Sequence, residues 1–162
     1  MTAPARLCLL VVDDEPDVCE SLAEVFRDDY RVLTAENGAD ACRLMQENEV
    51  HLIITDQRMP QMTGVEFLTR VRGSYPQAVR MLFTGYLDLE SLVAAINQGH
   101  VFRFLRKPCD IEELIAATEE AAKEYRRLVQ YIDENTTLRG EVESLRRRVD
   151  ALENEVATLR RP

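Results

Sequence analysis

Five short apolar, branched runs recur along the first two thirds of the chain, at Leu7–Val12, Tyr30–Ala35, His51–Thr55, Val79–Phe83 and Val101–Leu105. Between them lie segments of about a dozen residues with helical spacing, at Asp17–Arg27, Ala39–Glu47, Val65–Tyr75 and Leu89–Gln98. Strands that alternate with helices imply parallel crossovers and an α/β sheet covered on both faces. Leu7–Val12 and Leu52–Ile54 are apolar at every position, as strands buried on both sides are. The pattern predicts a small, doubly wound domain of five βα units over residues 1–120.

The balance of charge separates this part from the rest. Residues 1–120 hold 21 acidic and 11 basic side chains, whereas residues 121–162 hold 8 and 9. An acidic body disfavours nucleic acid as its partner, because binding to phosphates needs a basic face. The 46% hydrophobic content is enough for a core. Cys8, Cys19, Cys42 and Cys109 are irregularly spaced without a CxxC pair, and read as reduced thiols. Met1–Arg6 is too short and polar for a signal peptide, and no apolar run approaches membrane-spanning length. The expectation is a soluble, cytoplasmic protein without a membrane partner.

In a doubly wound sheet, functional groups gather beyond the carboxyl ends of the strands. Asp13, Asp14 and Glu15 follow the first strand and Asp56 follows the third. Thr84 follows the fourth, and Lys107-Pro108 follows the fifth. Two carboxylates about 5 Å apart repel by roughly 3 kcal/mol at an effective dielectric near 20. A cluster of Asp13, Asp14 and Asp56 therefore calls for a cation, and Mg²⁺ suits one or two carboxylates with retained water. Three carboxylates, Mg²⁺ and Lys107 sum to a neutral site. Such a site can take a phosphoryl group on a nucleophilic carboxylate, with Thr84 donating to a phosphoryl oxygen and Gly85 leaving room. The blander alternative is that Asp13 or Asp14 only caps the first helix.

Val11-Val12-Asp13-Asp14-Glu15-Pro16, Thr55 through Gly64, Phe83-Thr84-Gly85 and Phe104-Leu105-Arg106-Lys107-Pro108 together resemble the receiver domains of two-component response regulators. The resemblance covers roughly residues 6–120 with motifs in order. It implies a flavodoxin-like sheet of strand order 2-1-3-4-5. It also implies that Asp56 accepts a phosphoryl group from a sensor histidine kinase, in a Mg²⁺-dependent reaction assisted by Lys107 and Thr84. The implied Mg²⁺ ligands are Asp14, Asp56 and the main-chain carbonyl of Arg58, with Asp13 acting mainly through water. Lys107–Pro108 looks like the family's cis peptide. Thr84 and Phe104 would form a switch that alters the surface of helix 4, strand 5 and helix 5. Arg58 and Tyr86 would flank the site and tune phosphoryl lifetime; His51 and His100 read as structural. The domain would be a phosphoacceptor rather than an enzyme acting on other molecules.

The last helix carries a second message. Asp110-Ile111-Glu112-Glu113 reads as a helix start, and no proline follows until Pro162. Leu128, Asn135, Val142, Val149 and Val156 fall at heptad a positions. Tyr131, Leu138, Leu145, Leu152 and Leu159 fall at d. β-Branched residues at a, Leu at d and one Asn at a favour a parallel two-stranded coiled coil. The pairs Glu134–Arg139, Glu141–Arg146, Arg148–Glu153 and Glu155–Arg160, set between g and the following e of a partner, are all opposite in charge. They fix orientation and partner choice more than stability. Residues 121–162 are thus expected to form a homodimeric coiled coil.

Three functions are open at this point. Phosphorylation of Asp56 is transmitted through helix 5 to the coiled coil; or the chain is a constitutively dimeric docking module; or it is the N-terminal part of a longer regulator. The effector could then be DNA-binding, an ATPase or a cyclic-dinucleotide enzyme. Gly99–Phe104 is similar to receivers found ahead of HD-GYP-type phosphodiesterases.

Overall fold

The computed structural model describes residues 6–86 and 88–160. Most of the N-terminal segment read as no signal peptide, and Pro162, read as the helix stop, lie outside them. Five strands form one parallel sheet: β1 (Cys8–Val12), β2 (Arg31–Ala35), β3 (Leu52–Thr55), β4 (Val79–Thr84) and β5 (Arg103–Arg106). Their order is β2-β1-β3-β4-β5, as the family resemblance implied. The helices are α1 (Pro16–Phe26), α2 (Gly38–Glu47), α3 (Gly64–Arg72), α4 (Leu89–Ala94) and α5 (Ile111–Leu159).

The central strands are apolar throughout because both faces are covered. Every residue of β1, β3 and β4 is buried, while edge strand β2 is buried only at Ala35. The core gathers Leu10, Val12, Ile53 and Leu82 from the strands with Ala41, Met45, Phe67 and Leu68 from α2 and α3. α3 begins with a reciprocal cap, in which Thr63 accepts from the Glu66 amide while Glu66 accepts from the Thr63 amide.

Three local differences from the sequence pattern have physical causes. β4 extends one residue further and ends on Thr84, whose partner across the ladder is Arg106. Val101 and Phe102 precede β5 rather than opening it. The fourth helix also does not run uniformly to Gln98. α4 passes at Ala95 into a π-helical turn, Ala95–Gly99, closed by His100 in the left-handed conformation at φ 47°. Buried Arg80 donates to the carbonyl of Gly99 at 3.0 Å, and Arg72 donates to that of Gln98 at 3.2 Å. Two guanidinium groups thus hold the carboxyl end of this turn, where carbonyls lack helical partners.

The contacts divide the chain into two units, residues 1–125 and 126–162. In the first, α5 packs through Leu114 and Thr118 and through Ala117, Ala121 and Ala122, the alanines permitting close approach. Arg103 pairs with Glu120, and Tyr125 meets His51 edge-on with ring centroids 4.8 Å apart. The second unit is a single helix whose apolar residues Leu138, Val142, Leu145, Val149, Leu152 and Val156 are exposed on this one chain. No helix among the described residues is long and apolar enough to cross a membrane. All four cysteines are free thiols.

Candidate functional site

β1 and β3 lie side by side and end level, with Val12 opposite Thr55. Asp13 and Asp56 therefore leave the sheet together. One oxygen each from Asp13, Asp14 and Asp56 lies within 4.8 Å of the others. Asp13 is 2% exposed and Asp56 8%, whereas Asp14 faces solvent. Two buried carboxylates this close need compensating positive charge.

Lys107 supplies part of it from the end of β5. Its Nζ lies 2.5 Å from Asp13 Oδ2 and 3.7 Å from Asp56 Oδ1. The Lys107–Pro108 peptide is cis, as the resemblance implied. Burial pushes the Lys107 ammonium down, but the hydrogen bond and charge of Asp13, with the charges of Asp56 and Glu15, outweigh it and hold the group above the ordinary lysine value. Lys107 is thus a fixed cation bridging two strand ends.

Asp13 does not cap α1. Its Oδ1 accepts from the Glu15 amide at 3.0 Å, while Glu15 itself occupies the cap position without a side-chain bond. Asp13 thus closes a local turn onto Glu15 rather than capping α1. Asp56 Oδ2 accepts from the Arg58 amide at 3.2 Å. Behind Asp56 the chain is packed so closely that a Cβ on Gly64 would lie 2.1 Å from the Asp56 carbonyl oxygen. Only glycine fits there. A Cβ on Gly85 would meet the Lys107 side chain at an ordinary 3.7 Å, so glycine is not demanded by this packing.

Thr84 lies at the same sheet edge, with its hydroxyl engaged locally. It donates to the Tyr86 carbonyl at 3.3 Å and accepts from the Tyr86 amide at 3.2 Å. Phe104 is half-buried against the core, on the β5 residue paired with Leu82. Arg58 stacks its guanidinium 3.4 Å from the centroid of the Tyr86 ring, at cation–π distance. The expected flanking pair is therefore joined across the mouth of the site. His51 is structural in this fold: its Nδ1 accepts from the Cys8 amide at 2.7 Å, far from the carboxylates along the sheet.

Beside Asp56 lies a buried polar residue that the sequence pattern did not mark. Gln57 is 7% exposed; its Oε1 accepts from the Val65 amide at 3.0 Å, and its Nε2 lies 3.5 Å from Ser91 Oγ. Nothing in a single polar residue after Asp56 signalled burial, because the contacts come from α3 and α4.

Residues 9–119 match the response regulator receiver domain. The chain belongs to the response regulator receiver family. Over 118 residues this receiver is 41% identical to the hydrogenase transcriptional regulatory protein HoxA of Bradyrhizobium diazoefficiens, covering 73% of this chain and 24% of that protein. It thus spans about a quarter of the length of that relative. The receiver domain of an HD domain-containing protein from Pseudomonas fluorescens superposes with a TM-score of 0.73 at 32% identity, over 75% of this chain and 98% of the other. An adenylate cyclase structure from Rhodopirellula baltica gives 0.74 at 32% identity, over 79% and 96%. Membership makes residues 9–119 a signalling domain of two-component phosphorelays.

Proposed function

We propose that Asp56 is the phosphoacceptor, loaded by a sensor histidine kinase in the cytoplasm. The observation that carries the reading is Lys107 held between Asp13 and Asp56 beside the grouped carboxylates. A carboxylate oxygen of Asp56 attacks the phosphorus of a phosphohistidine. The P–O bond forms, the P–N bond breaks, and the imidazole leaves with its electron pair. Lys107 neutralises charge on the phosphoryl oxygens as it develops. Thr84 exchanges its bonds with Tyr86 for one to a phosphoryl oxygen, and Phe104 follows into the space behind it.

The donor set is all oxygen and anionic, which fits Mg²⁺. Asp14 and Asp56, with the Arg58 main-chain carbonyl and Asp13 in support, would hold Mg²⁺, which supplies positive charge to the phosphoryl oxygens. Residues 121–162 act as a parallel dimeric coiled coil through Leu128, Tyr131, Asn135, Leu138, Val142, Leu145, Val149, Leu152, Val156 and Leu159. The exposed apolar side chains of this helix support that reading. The change at α4, β5 and α5 is passed to the coiled coil.

A second reading, that the chain is the receiver part of a longer regulator, is favoured by its covering only a quarter of HoxA. The effector would then be a DNA-binding, ATPase or HD-type phosphodiesterase domain. Incubation with acetyl phosphate and Mg²⁺, followed by intact mass, tests the phosphoacceptor assignment. Wild type gains one phosphoryl group and Asp56→Asn gains none. Equal labelling of both would overturn it.

A further inference from the structure

The switch just described runs through Thr84 and Phe104, yet the structure holds a separate connection between the Asp56 loop and α4. Gln57 follows Asp56 directly and is buried. Its main-chain carbonyl accepts from the Gly64 amide at 3.0 Å, and its side-chain Oε1 accepts from the Val65 amide at 3.0 Å. Since Gly64 is also packed against the Asp56 carbonyl, this loop is fastened to the amino end of α3 at three points. The remaining donor of Gln57, Nε2, points to α4, 3.5 Å from Ser91 Oγ. The Ser91 hydroxyl in turn donates to Asp88 Oδ2 at 2.9 Å, while Asp88 Oδ1 accepts from the Ser91 amide at 2.7 Å. Asp88 is the N-cap of α4.

A buried amide with one end locked and the other on a helix cap responds to displacement of its own backbone. Asp56 Oδ2 accepts from the Arg58 amide, so phosphorylating Asp56 alters a carboxylate that already holds the loop's main chain on the far side of Gln57. The opposite end of the α4 segment is fixed. Arg80 and Arg72 grip the carbonyls of Gly99 and Gln98, and Arg80 also donates to the carbonyl of Ala78 at 2.8 Å. One end of the segment is therefore anchored and the other is tied to the phosphoacceptor loop.

We infer that Gln57 and Ser91 are positioning residues that carry the state of Asp56 to the amino end of α4, in parallel with Thr84 and Phe104. The inference rests on Asp56 being the phosphoacceptor. Hydrogen bonds of this kind have small net weight, so this route biases α4 rather than commanding it.

The test is amide hydrogen exchange across α4 in the full chain, with and without acetyl phosphate and Mg²⁺, at an extent of phosphorylation fixed by intact mass. Ser91→Ala removes the hydroxyl but keeps the main-chain bond to Asp88; Gln57→Met removes both side-chain bonds at similar length. Ser91→Ala is expected to take up phosphoryl as wild type does, and Gln57→Met, which also loosens the Asp56 loop, is compared at a matched extent of phosphorylation. The phosphorylation-dependent change in α4 opening is expected to shrink by about fivefold, the equilibrium weight of one net hydrogen bond. Ser91→Thr, which keeps a hydroxyl, should restore the response. Phosphorylated variants that respond as wild type does would overturn the inference alone. A wild type that gains no phosphoryl on Asp56 would overturn the phosphoacceptor reading, and the inference with it.

Discussion

Gly64 shows how narrowly the site is built at the level of single residues. Adding one methyl there places carbon 2.1 Å from the Asp56 carbonyl oxygen, and a main-chain atom has no rotamer by which to yield. Gly64→Ala should cost about 3 kcal/mol, at the upper end of overpacking penalties, and should displace the Asp56 loop. Urea denaturation measures the loss, and an unchanged midpoint would contradict the packing. His51 gives a pH signature of the opposite end of the sheet. Burial, the largest influence, pushes its pKa below 6.5; Glu49 partly offsets this and Arg31 adds to the depression. The unfolded chain therefore binds a proton that the folded chain resists. His51 contributes stability that is complete above pH 6.5 and is lost as pH falls through the lower folded value. Denaturation of wild type and His51→Asn from neutral to acid pH should show wild type losing ground, because protonation of Nδ1 abolishes its acceptance from the Cys8 amide. A constant difference across that range would refute the account.

At the scale of elements, the strands were legible because β1, β3 and β4 are buried on both faces and so carry no polar interruptions. The grouping of Asp13, Asp14, Asp56, Thr84 and Lys107 at one edge followed from the same alternation, since parallel strands present their carboxyl ends together. The π-helical turn after Ala95 was not legible. Its cause is tertiary, in the grip of Arg72 and Arg80 on the carbonyls of Gln98 and Gly99, and apolar periodicity carries no trace of those bonds. Gln57 and Arg80 were missed for a related reason: a polar side chain is read as exposed unless its buried partners are known, and those partners are distant main-chain groups. In the second unit the heptad makes its own prediction. Leu145→Lys together with Leu152→Lys places charge in the seam and should convert a dimer to a monomer in sedimentation equilibrium. A single species of unchanged mass would exclude this face as the interface.

For the whole molecule, an acidic receiver of α/β architecture is followed along α5 by a segment whose apolar residues are exposed in the single chain. Asp13, Asp14 and Asp56 gather at the carboxyl edge of the sheet, with Lys107 reaching them from the end of β5. Everything in this arrangement depends on the carboxylate of Asp56 being the group that reacts. Borohydride reduction after incubation with acetyl phosphate and Mg²⁺ converts an aspartyl phosphate to homoserine, which peptide mass mapping locates. The account predicts homoserine at position 56 and unaltered aspartate at 13 and 14. Homoserine at either of those positions, or no conversion in phosphodonor-treated protein, would contradict it.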